Sequence, residues 1–322
     1  MRRMHPLKLL TVIALLAQVA GQDGALLRWQ FKTGDVLRYR MSAEQSTEMP
    51  MMSERPMENT TVYVLREDVK DVAADGTASI DVGYEAMRMD MDIGVEMSFD
   101  STLTGDAAKA NDPTLSKMLA PMLETKLHLK MEPSGRVSEI SGLKEMLAKT
   151  AENLESDMTG QMIANMFSED SIRKMVEANV FPEKALMPGD TWKRSFEQAA
   201  PPIGTMKFAV DNKFEDQEDH AGGTCARIAM VTKLTLESEE SEDFPMTVNM
   251  DESGGKGTLW FDTKNGRMVE LVQSIDMKMR LGPKSEDESV EHSEMEMTSK
   301  LSTRMLLLAK DAPALEQAGA KK

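Results

Sequence analysis

The chain is short of the residue types on which many folds and active sites depend. Its 322 residues include one cysteine, Cys225, so an intrachain disulfide is excluded and stability has to come from burial. Beyond residue 21 it has three histidines, His128, His220 and His292, and it contains neither a His-Glu-x-x-His helix nor a Gly-x-Ser-x-Gly elbow. We interpret these histidines as solvated side chains, and we predict a non-enzymatic protein with no catalytic residue, no metal site and no cofactor.

Positive charge is scarce relative to negative charge. The formal net charge is −16, from 54 acidic and 38 basic residues. Phosphate backbones and anionic lipid surfaces repel such a chain, so we exclude nucleic acid as a partner. The acidic runs 237–243 and 286–294 lack the alternating Asp spacing of a calcium loop, and we interpret them as solvated charge.

An apolar run at the N-terminus predicts the cellular location of the protein. Arg2, Arg3 and Lys8 precede the apolar residues 9–20, a run that is too short to span a bilayer. This pattern predicts a secretory signal peptide at residues 1–21, and no cysteine stands at the cut to carry a lipid anchor. We expect an exported protein, periplasmic or extracellular, with no membrane span in its mature chain.

Aromatic residues are few, and methionine takes their place. The chain has 30 Met against 9 Phe, 3 Trp and 3 Tyr. Many of the methionines alternate with polar residues, which places them on the inward face of strands. Nine residues form the candidate apolar lining of a ligand site: Met87, Met89, Met91, Met97, Phe99, Met277, Met279, Met295 and Met297. Because thioethers also select Cu(I), a copper-binding protein is an alternative.

Alternating polar and apolar residues predict that most of the chain is strand. Leu27 to Phe31 has the pattern of a first strand, and Val269 to Leu281 has that of an unusually long one. The apolar parity shifts by one residue within 78–99, which predicts a β-bulge near Glu85-Ala86. Polar residues and two prolines at 42–59 favour a long connection or an interrupted edge strand.

Two segments have helical patterns. Asp112-Pro113 predicts the start of a short helix, because Asp suits the N-cap and Pro suits the first helical position. Within 142–180 the apolar residues recur at helical spacing, and Ser168 is predicted to cap a further helix there. We therefore expect a helical segment between two β-rich halves.

Three glycine-containing turns recur in the same order in the two halves, which indicates duplication. The matched pairs are Gly34-Asp35 with Gly189-Asp190, Asp75-Gly76-Thr77 with Gly222-Gly223-Thr224, and Gly135-Arg136 with Gly266-Arg267. We predict an α+β, mainly β fold: a duplicated, long-stranded, curved antiparallel sheet, half-barrel-like, with a helical segment between the repeats. Its predicted parts are a signal peptide (1–21), a first β repeat (22–141), a helical insert (142–180), a second β repeat (181–310) and a loose tail (311–322), with the repeats joined in one continuous domain.

The same turn motifs, together with the Phe-Pro-Glu…Pro-Gly-Asp-Thr-Trp element at 181–192, resemble a family of secreted bacterial β-rich proteins of planctomycete type. The resemblance covers most of the mature chain and carries no assigned activity. More distantly, a large curved antiparallel sheet with helices against its concave side is similar to periplasmic lipoprotein-carrier and mycobacterial lipid-binding lipoprotein folds. That similarity implies an architecture suited to lipid, which is not by itself a function.

The function that these patterns favour is an exported, non-enzymatic binding module. It would hold a lipid or another hydrophobic small molecule in a methionine-rich concave site. Alternatives are an envelope interaction protein with a filled core, whose acidic loops meet another envelope protein, and the Cu(I)-binding protein.

Overall fold

Strands make up most of the computed structural model, which describes residues 24–152, 172–173, 177, 180–238, 246–283 and 294–315. The first half contains β1 (Val36–Glu48), β2 (Met57–Val72), β3 (Ala78–Asp92), β4 (Glu96–Asp100), α1 (Pro113–Glu124), β5 (Leu127–Met131), β6 (Val137–Ser141) and α2 (Leu143–Glu152). The second half contains β7 (Thr191–Ala200), β8 (Gly204–His220), β9 (Gly223–Ser238), β10 (Met246–Met250), β11 (Ser253–Asp262), β12 (Arg267–Pro283) and β13 (Met295–Leu307). The predicted mainly β fold is confirmed, and β12 is a strand of 17 residues.

All the strands belong to one open antiparallel sheet. Its order is β6-β5-β3-β2-β1-β13-β12-β11-β9-β8-β7, so β6 and β7 form the two edges. Two short strands lie off this path, because β4 pairs with the end of β3 and β10 with the end of β12. The halves of the chain meet where β1 pairs with β13.

One core cluster collects side chains from strands that lie far apart in the sheet, which shows that the sheet is strongly curled. Trp192 on β7 and Met131 on β5 both pack on this cluster, although their strands lie towards opposite edges. We call the side that carries the cluster the inner face; Leu37, Ile80 and Phe261 lie on it. Burying this apolar surface is the main force that holds the curled sheet together.

Residues 24–32 cross the inner face of the sheet. The amides of Trp29 and Gln30 donate to the carbonyls of Pro133 and Gly266 at 2.8 and 2.9 Å, so the segment is tied to both halves. Leu27 and Trp29 are buried, as their alternation predicted. The prediction of a sheet strand here is wrong, since the only strand-type pairing in the segment is an isolated bridge, and the alternation comes from lying across the core.

Two Gly-Asp turns are built alike. The amide of Gly34 donates to the Val69 carbonyl at 2.9 Å and the amide of Val69 to the Asp35 carbonyl at 2.9 Å. In the same way the amide of Gly189 donates to the Phe214 carbonyl at 2.7 Å, and the amide of Phe214 to the Asp190 carbonyl at 2.9 Å. Both glycines have φ near +90°, at 89° and 97°, where a side chain would be strained.

The two halves also share a strand order. β1-β2-β3-β5 and β7-β8-β9-β11 follow the same sequence of antiparallel neighbours. These shared features support the predicted duplication, which stays a prediction.

The predicted bulge at Glu85-Ala86 is confirmed. In the pairing of β2 with β3, Val64 faces Ala86 and Leu65 faces Tyr84, so Glu85 is the extra residue. Its carboxylate accepts two hydrogen bonds from the Arg38 guanidinium, at 2.7 and 2.6 Å. The extra residue therefore supplies the counter-charge of a buried arginine on the outer face.

The same arginine holds the C-terminal segment. Arg38 Nη1 donates to the carbonyls of Lys310 and Ala312 at 3.1 and 2.8 Å. Residues 308–312 therefore lie against the outer face of β1, at the start of the tail that the sequence predicts to be loose.

Two local predictions in the first half are wrong. The segment 42–59 is neither a long connection nor an edge, because β1 and β2 run through most of it as central strands and only the turn 49–56, which contains both prolines, lies outside them. Residues 87–99 are not one continuous strand, since the chain turns at Gly94, where φ is 89°, and folds back as β4. The signal peptide, most of the helical insert including Ser168, and nearly all of both acidic runs lie outside the described residues.

Helix α1 begins where the sequence predicts. The Asp112 carboxylate accepts from the amides of Thr114 and Leu115 at 2.8 and 3.0 Å, and Pro113 occupies the first turn. Among the described residues, no helix is long and apolar enough to cross a membrane.

Removing this cap gives the first test of the local structure. Asp112→Ala is expected to lower the free energy of unfolding by about 1 kcal/mol, because two amides lose their acceptor. Urea denaturation measures the change, and Asp106→Ala is the control, since that side chain is nearly fully exposed and makes no cap hydrogen bond. Equal stability of Asp112→Ala and wild type would show that the cap contributes nothing.

Candidate ligand-binding face

All nine candidate lining residues lie on the inner face, but in two separate groups. The first group is on β3 and β4, where Met91 pairs with Met97 and Met89 with Phe99. The second is on β12 and β13, where Met279 pairs with Met297. Three strand steps, from β3 through β2 and β1 to β13, separate the groups, about 14 Å along the sheet. They are therefore two sites and not one continuous surface.

The first group is covered by helix α1. Met87 and Phe99 are buried against Leu115 and Leu119 of the helix. The half-buried members packed around them are Met89, Met91, Met97, Met118, Met122, Leu123, Tyr63 and Tyr84. This α1 cluster is a small core, so the alternating methionines of β3 are accounted for by packing. The helix that covers this group is α1, which precedes the predicted helical insert at 142–180 in the chain.

The second group forms an apolar patch that is only partly covered. One row across the strands contains Met250, Met279 and Met297, and the next contains Val248, Leu281 and Met295. Met279 and Val248 are buried, but Met277, Met295 and Met297 are half-buried. The intervening positions of β12, such as Asp276 and Lys278, are exposed on the outer face. We call this the β12–β13 patch.

A polar band separates the patch from the α1 cluster. On the inner face of β1, β2 and β13 the side chains Gln45, Thr47, Asn59, Thr61, Ser299 and Thr303 take the positions between the two methionine groups. Ser299 is buried and bonds to both Gln45 Nε2, at 3.1 Å, and Thr47 Oγ1, at 3.0 Å. The inner face therefore offers hydrogen-bonding groups beside apolar ones.

Sequence reasoning missed this band, although its signal is present. Gln45 and Thr47 have the same parity as Tyr39 and Met41, which continues the inner face of β1 with polar residues. The prolines and polar residues of 42–59 favour a long connection or an interrupted edge strand, and that pattern hides the parity of Gln45 and Thr47. The band became visible only when the pairing placed β1 and β2 at the centre of the sheet.

An aromatic pair extends the inner face to the β7 edge. The rings of Phe196 and Phe208 are stacked with centroids 4.6 Å apart and an interplanar angle of 5°. Both side chains are half-buried, like the Trp192 ring on the same face of β7.

One carboxyl group lies among the apolar residues of the inner face. Glu67 pairs across the strands with Leu37 and Val82, and burial raises the pKa of its carboxyl to about 7. Burial, and then the charge of Glu67, raise the pKa of Tyr39, whose hydroxyl is buried with no hydrogen-bond partner among the described residues. The carboxyl group of Glu67 on the inner face therefore changes between its neutral and its charged form near neutral pH.

A second polar cluster lies on the outer face and corrects the interpretation of His220. Its ring stacks on Trp260 at 4.4 Å, and Nε2 lies 2.7 Å from a carboxylate oxygen of Glu270. The other oxygen of Glu270 accepts from Arg304 Nε at 2.6 Å. His220 is therefore partly buried, with its ring bonded to Glu270, which forms an ion pair with Arg304.

Two other residues of catalytic type, His128 and Cys225, lie in described strands of the sheet. His128 is exposed on the outer face, where its Nδ1 lies 2.6 Å from Asp81. Cys225 is buried, and burial together with nearby carboxylates raises the pKa of its thiol to about 11, so it is a packing residue at neutral pH. In the part of the chain that the structure describes, no group of three or more His, Cys, Asp or Glu side chains could hold a metal ion.

The fold and this face define a class: an open, curled antiparallel sheet with a partly covered apolar inner side. The model of a family of unknown function, DUF6263, matches residues 75–268, more than half of the chain, and the chain belongs to that family. No curated protein matches the chain.

Similarities to solved structures are weak. A lipovitellin structure, described by its lipid–protein interactions, has a TM-score of 0.45 at 10% identity and covers 91% of this chain; the chain spans 27% of its length. DynF from the dynemicin biosynthesis pathway of Micromonospora chersina has a TM-score of 0.20 at 7% identity, with 88% of this chain and 85% of DynF covered.

Proposed function

We propose that this protein is an exported, non-enzymatic module that binds an amphiphile, a lipid or a similar molecule, on the inner face of its sheet. The observation that carries the proposal is the β12–β13 patch. Met277, Met295 and Met297 are large apolar side chains on the inward side of the sheet, yet they stay half-buried. In a filled core such positions are fully buried, and the accessible remainder is apolar surface that a ligand can cover.

The polar band supports an amphiphile over a pure hydrocarbon. The row of Met277 continues into Ser299 and Thr47, so a ligand whose tail lies on the patch would place its head group beside hydroxyl and amide groups. These groups are uncharged, which favours a head group that needs hydrogen bonds more than a counter-ion. Methionine suits such a face because its flexible thioether adapts to tails of different shape.

An uncharged fluorescent dye tests the proposal in solution. Nile red is expected to bind the mature chain, and Met277→Gln with Met297→Gln is expected to raise the dissociation constant about tenfold, through a loss of roughly 1.4 kcal/mol of apolar contact. The control is Val231→Gln with Val272→Gln, which changes two exposed aliphatic side chains of the outer face and should leave binding unchanged. Fluorescence titration measures each dissociation constant.

The natural ligand can be sought in the same way. Protein purified from its own host is extracted with organic solvent, and the extract is analysed by mass spectrometry for an amphiphile in stoichiometric amount. Failure of wild type to bind the dye, together with an empty extract, would refute the proposed function.

A further inference from the structure

We propose that two neighbouring hairpin tips dock the protein on an electrically neutral lipid surface. The inference rests on the proposed function, since docking would bring the inner face to the source of its ligand. The tips are the β1–β2 turn, residues 49–56, and the β3–β4 turn, residues 93–95. They project from the same end of adjacent strands, because Glu58 at the start of β2 pairs with Asp92 at the end of β3.

Exposed apolar side chains are concentrated at these tips. Met51 and Met52 are 65% and 69% exposed, and Ile93 and Val95 are 50% and 65% exposed. The other exposed large apolar residues of the described chain reach at most 51%. Exposing four such side chains at one end of a sheet costs solubility, and a grouping of this kind marks a contact surface.

Both tips are ordered turns. At the first, the amides of Met52 and Ser53 donate to the Met49 carbonyl at 2.9 and 3.0 Å. At the second, the Gly94 amide donates to the Asp92 carboxylate at 3.1 Å, which holds Ile93 and Val95 on either side of the glycine. The apolar side chains are therefore presented by fixed backbone, and inserting them costs little conformational entropy.

The shape of the tips favours a lipid surface over a protein partner. A stable protein interface needs about 800 Å² from each side, whereas two narrow turns with four apolar side chains offer separate points of insertion.

The charges that flank the tips determine which lipid head groups the surface can carry. Glu48, Glu54, Glu58, Asp92 and Glu96 surround the tips, and Arg55 is the basic residue among them. An anionic surface would repel this ring, so a zwitterionic or uncharged head group is required.

The inner face leads away from the tips through methionines. Met57 opens β2 on the inner face directly after the first tip, and Met91 and Met97 flank the second tip as a cross-strand pair. An apolar tail leaving the lipid surface would thus meet thioether side chains at the tips. From Met57 a cross-strand row leads through Thr47 and Ser299 of the polar band to Met277 of the β12–β13 patch. Docking at this end places the concave side beside the donor surface.

Flotation with phosphatidylcholine vesicles tests the inference on the mature chain. Wild type is expected to float with the vesicles, and the combined variant M51S, M52S, I93S and V95S to do so about fivefold less. Replacing about one fifth of the lipid with phosphatidylglycerol should weaken wild-type binding, and added salt should restore it. The control V231S with V272S removes two exposed aliphatic side chains elsewhere and should float like wild type.

Nile red binding without vesicles separates this inference from the proposed function. The tip variant, with unchanged circular dichroism and melting temperature, should keep wild-type affinity for the dye. Wild type that binds the dye but not the vesicles, or a tip variant that floats like wild type, would overturn the docking inference alone. Wild type that binds neither, and whose organic extract holds no amphiphile, would overturn both. A wild-type dimer in sedimentation that the tip variant loses would assign the tips to a second copy and also overturn the inference.

Discussion

Phe261→Ala is expected to lower the free energy of unfolding by about 3–5 kcal/mol, the usual cost of deleting a large aromatic side chain from a core. Phe261 is fully buried. Its ring meets Trp29 edge-on, with centroids 5.3 Å apart, and Phe181 at 4.7 Å. It therefore joins three parts of the chain: the crossing segment 24–32, the segment before β7, and β11 in the sheet.

Urea denaturation followed by tryptophan fluorescence measures this loss, because Trp29 reports on the same contact. The control is Phe196→Ala, which removes a half-buried ring stacked on Phe208 at the sheet edge and should cost less than half as much. If the two variants lost equal stability, or if Phe261→Ala lost under about 1 kcal/mol, the cluster around Phe261 would not be the main core of the fold.

The alternation of residues predicted which side chains point inward more reliably than which strands are neighbours. The parity shift at Glu85 located a bulge, and the methionines of β3 and β12 were placed on the correct face. Parity is a local property that the period of a strand determines. Pairing depends on contacts distant in sequence, so the polar pattern of 42–59 favours a long connection or an interrupted edge strand, although most of the segment belongs to two central strands.

The sequence predicts only part of the candidate site, because parity is local whereas covering and pairing depend on residues distant in the chain. The sequence identified the methionines of the inner face, but it could not distinguish the group that α1 covers from the group that stays half-buried. That difference depends on where one helix packs, and the pattern of Leu115 and Leu119 says only that the helix has an apolar side. The polar band and the carboxyl group of Glu67 became visible only once β1 and β2 were placed at the centre of the sheet.

Glu67→Gln is expected to stabilise the protein at pH 8 by roughly 1–3 kcal/mol. Burial raises the pKa of Glu67 from an ordinary 4.5 to about 7 in the folded protein. Between these two values the folded state holds a proton that the unfolded state has lost, so stability falls as the pH rises through this window. Above about pH 7 the carboxylate is charged in both states, and the folded state bears the full cost of burying that charge.

The glutamine variant keeps the shape of the side chain and is neutral at every pH. Its advantage over wild type should therefore be complete at pH 8, decrease through pH 6 and vanish below about pH 4.5, where Glu67 is protonated in both states. Urea denaturation at these three pH values measures the difference. Glu44→Gln, which changes an exposed carboxyl on the outer face of β1, is the matched control and should stay within about 0.5 kcal/mol of wild type throughout. An advantage of Glu67→Gln that did not depend on pH would mean that packing, and not the buried charge, is what the substitution changes.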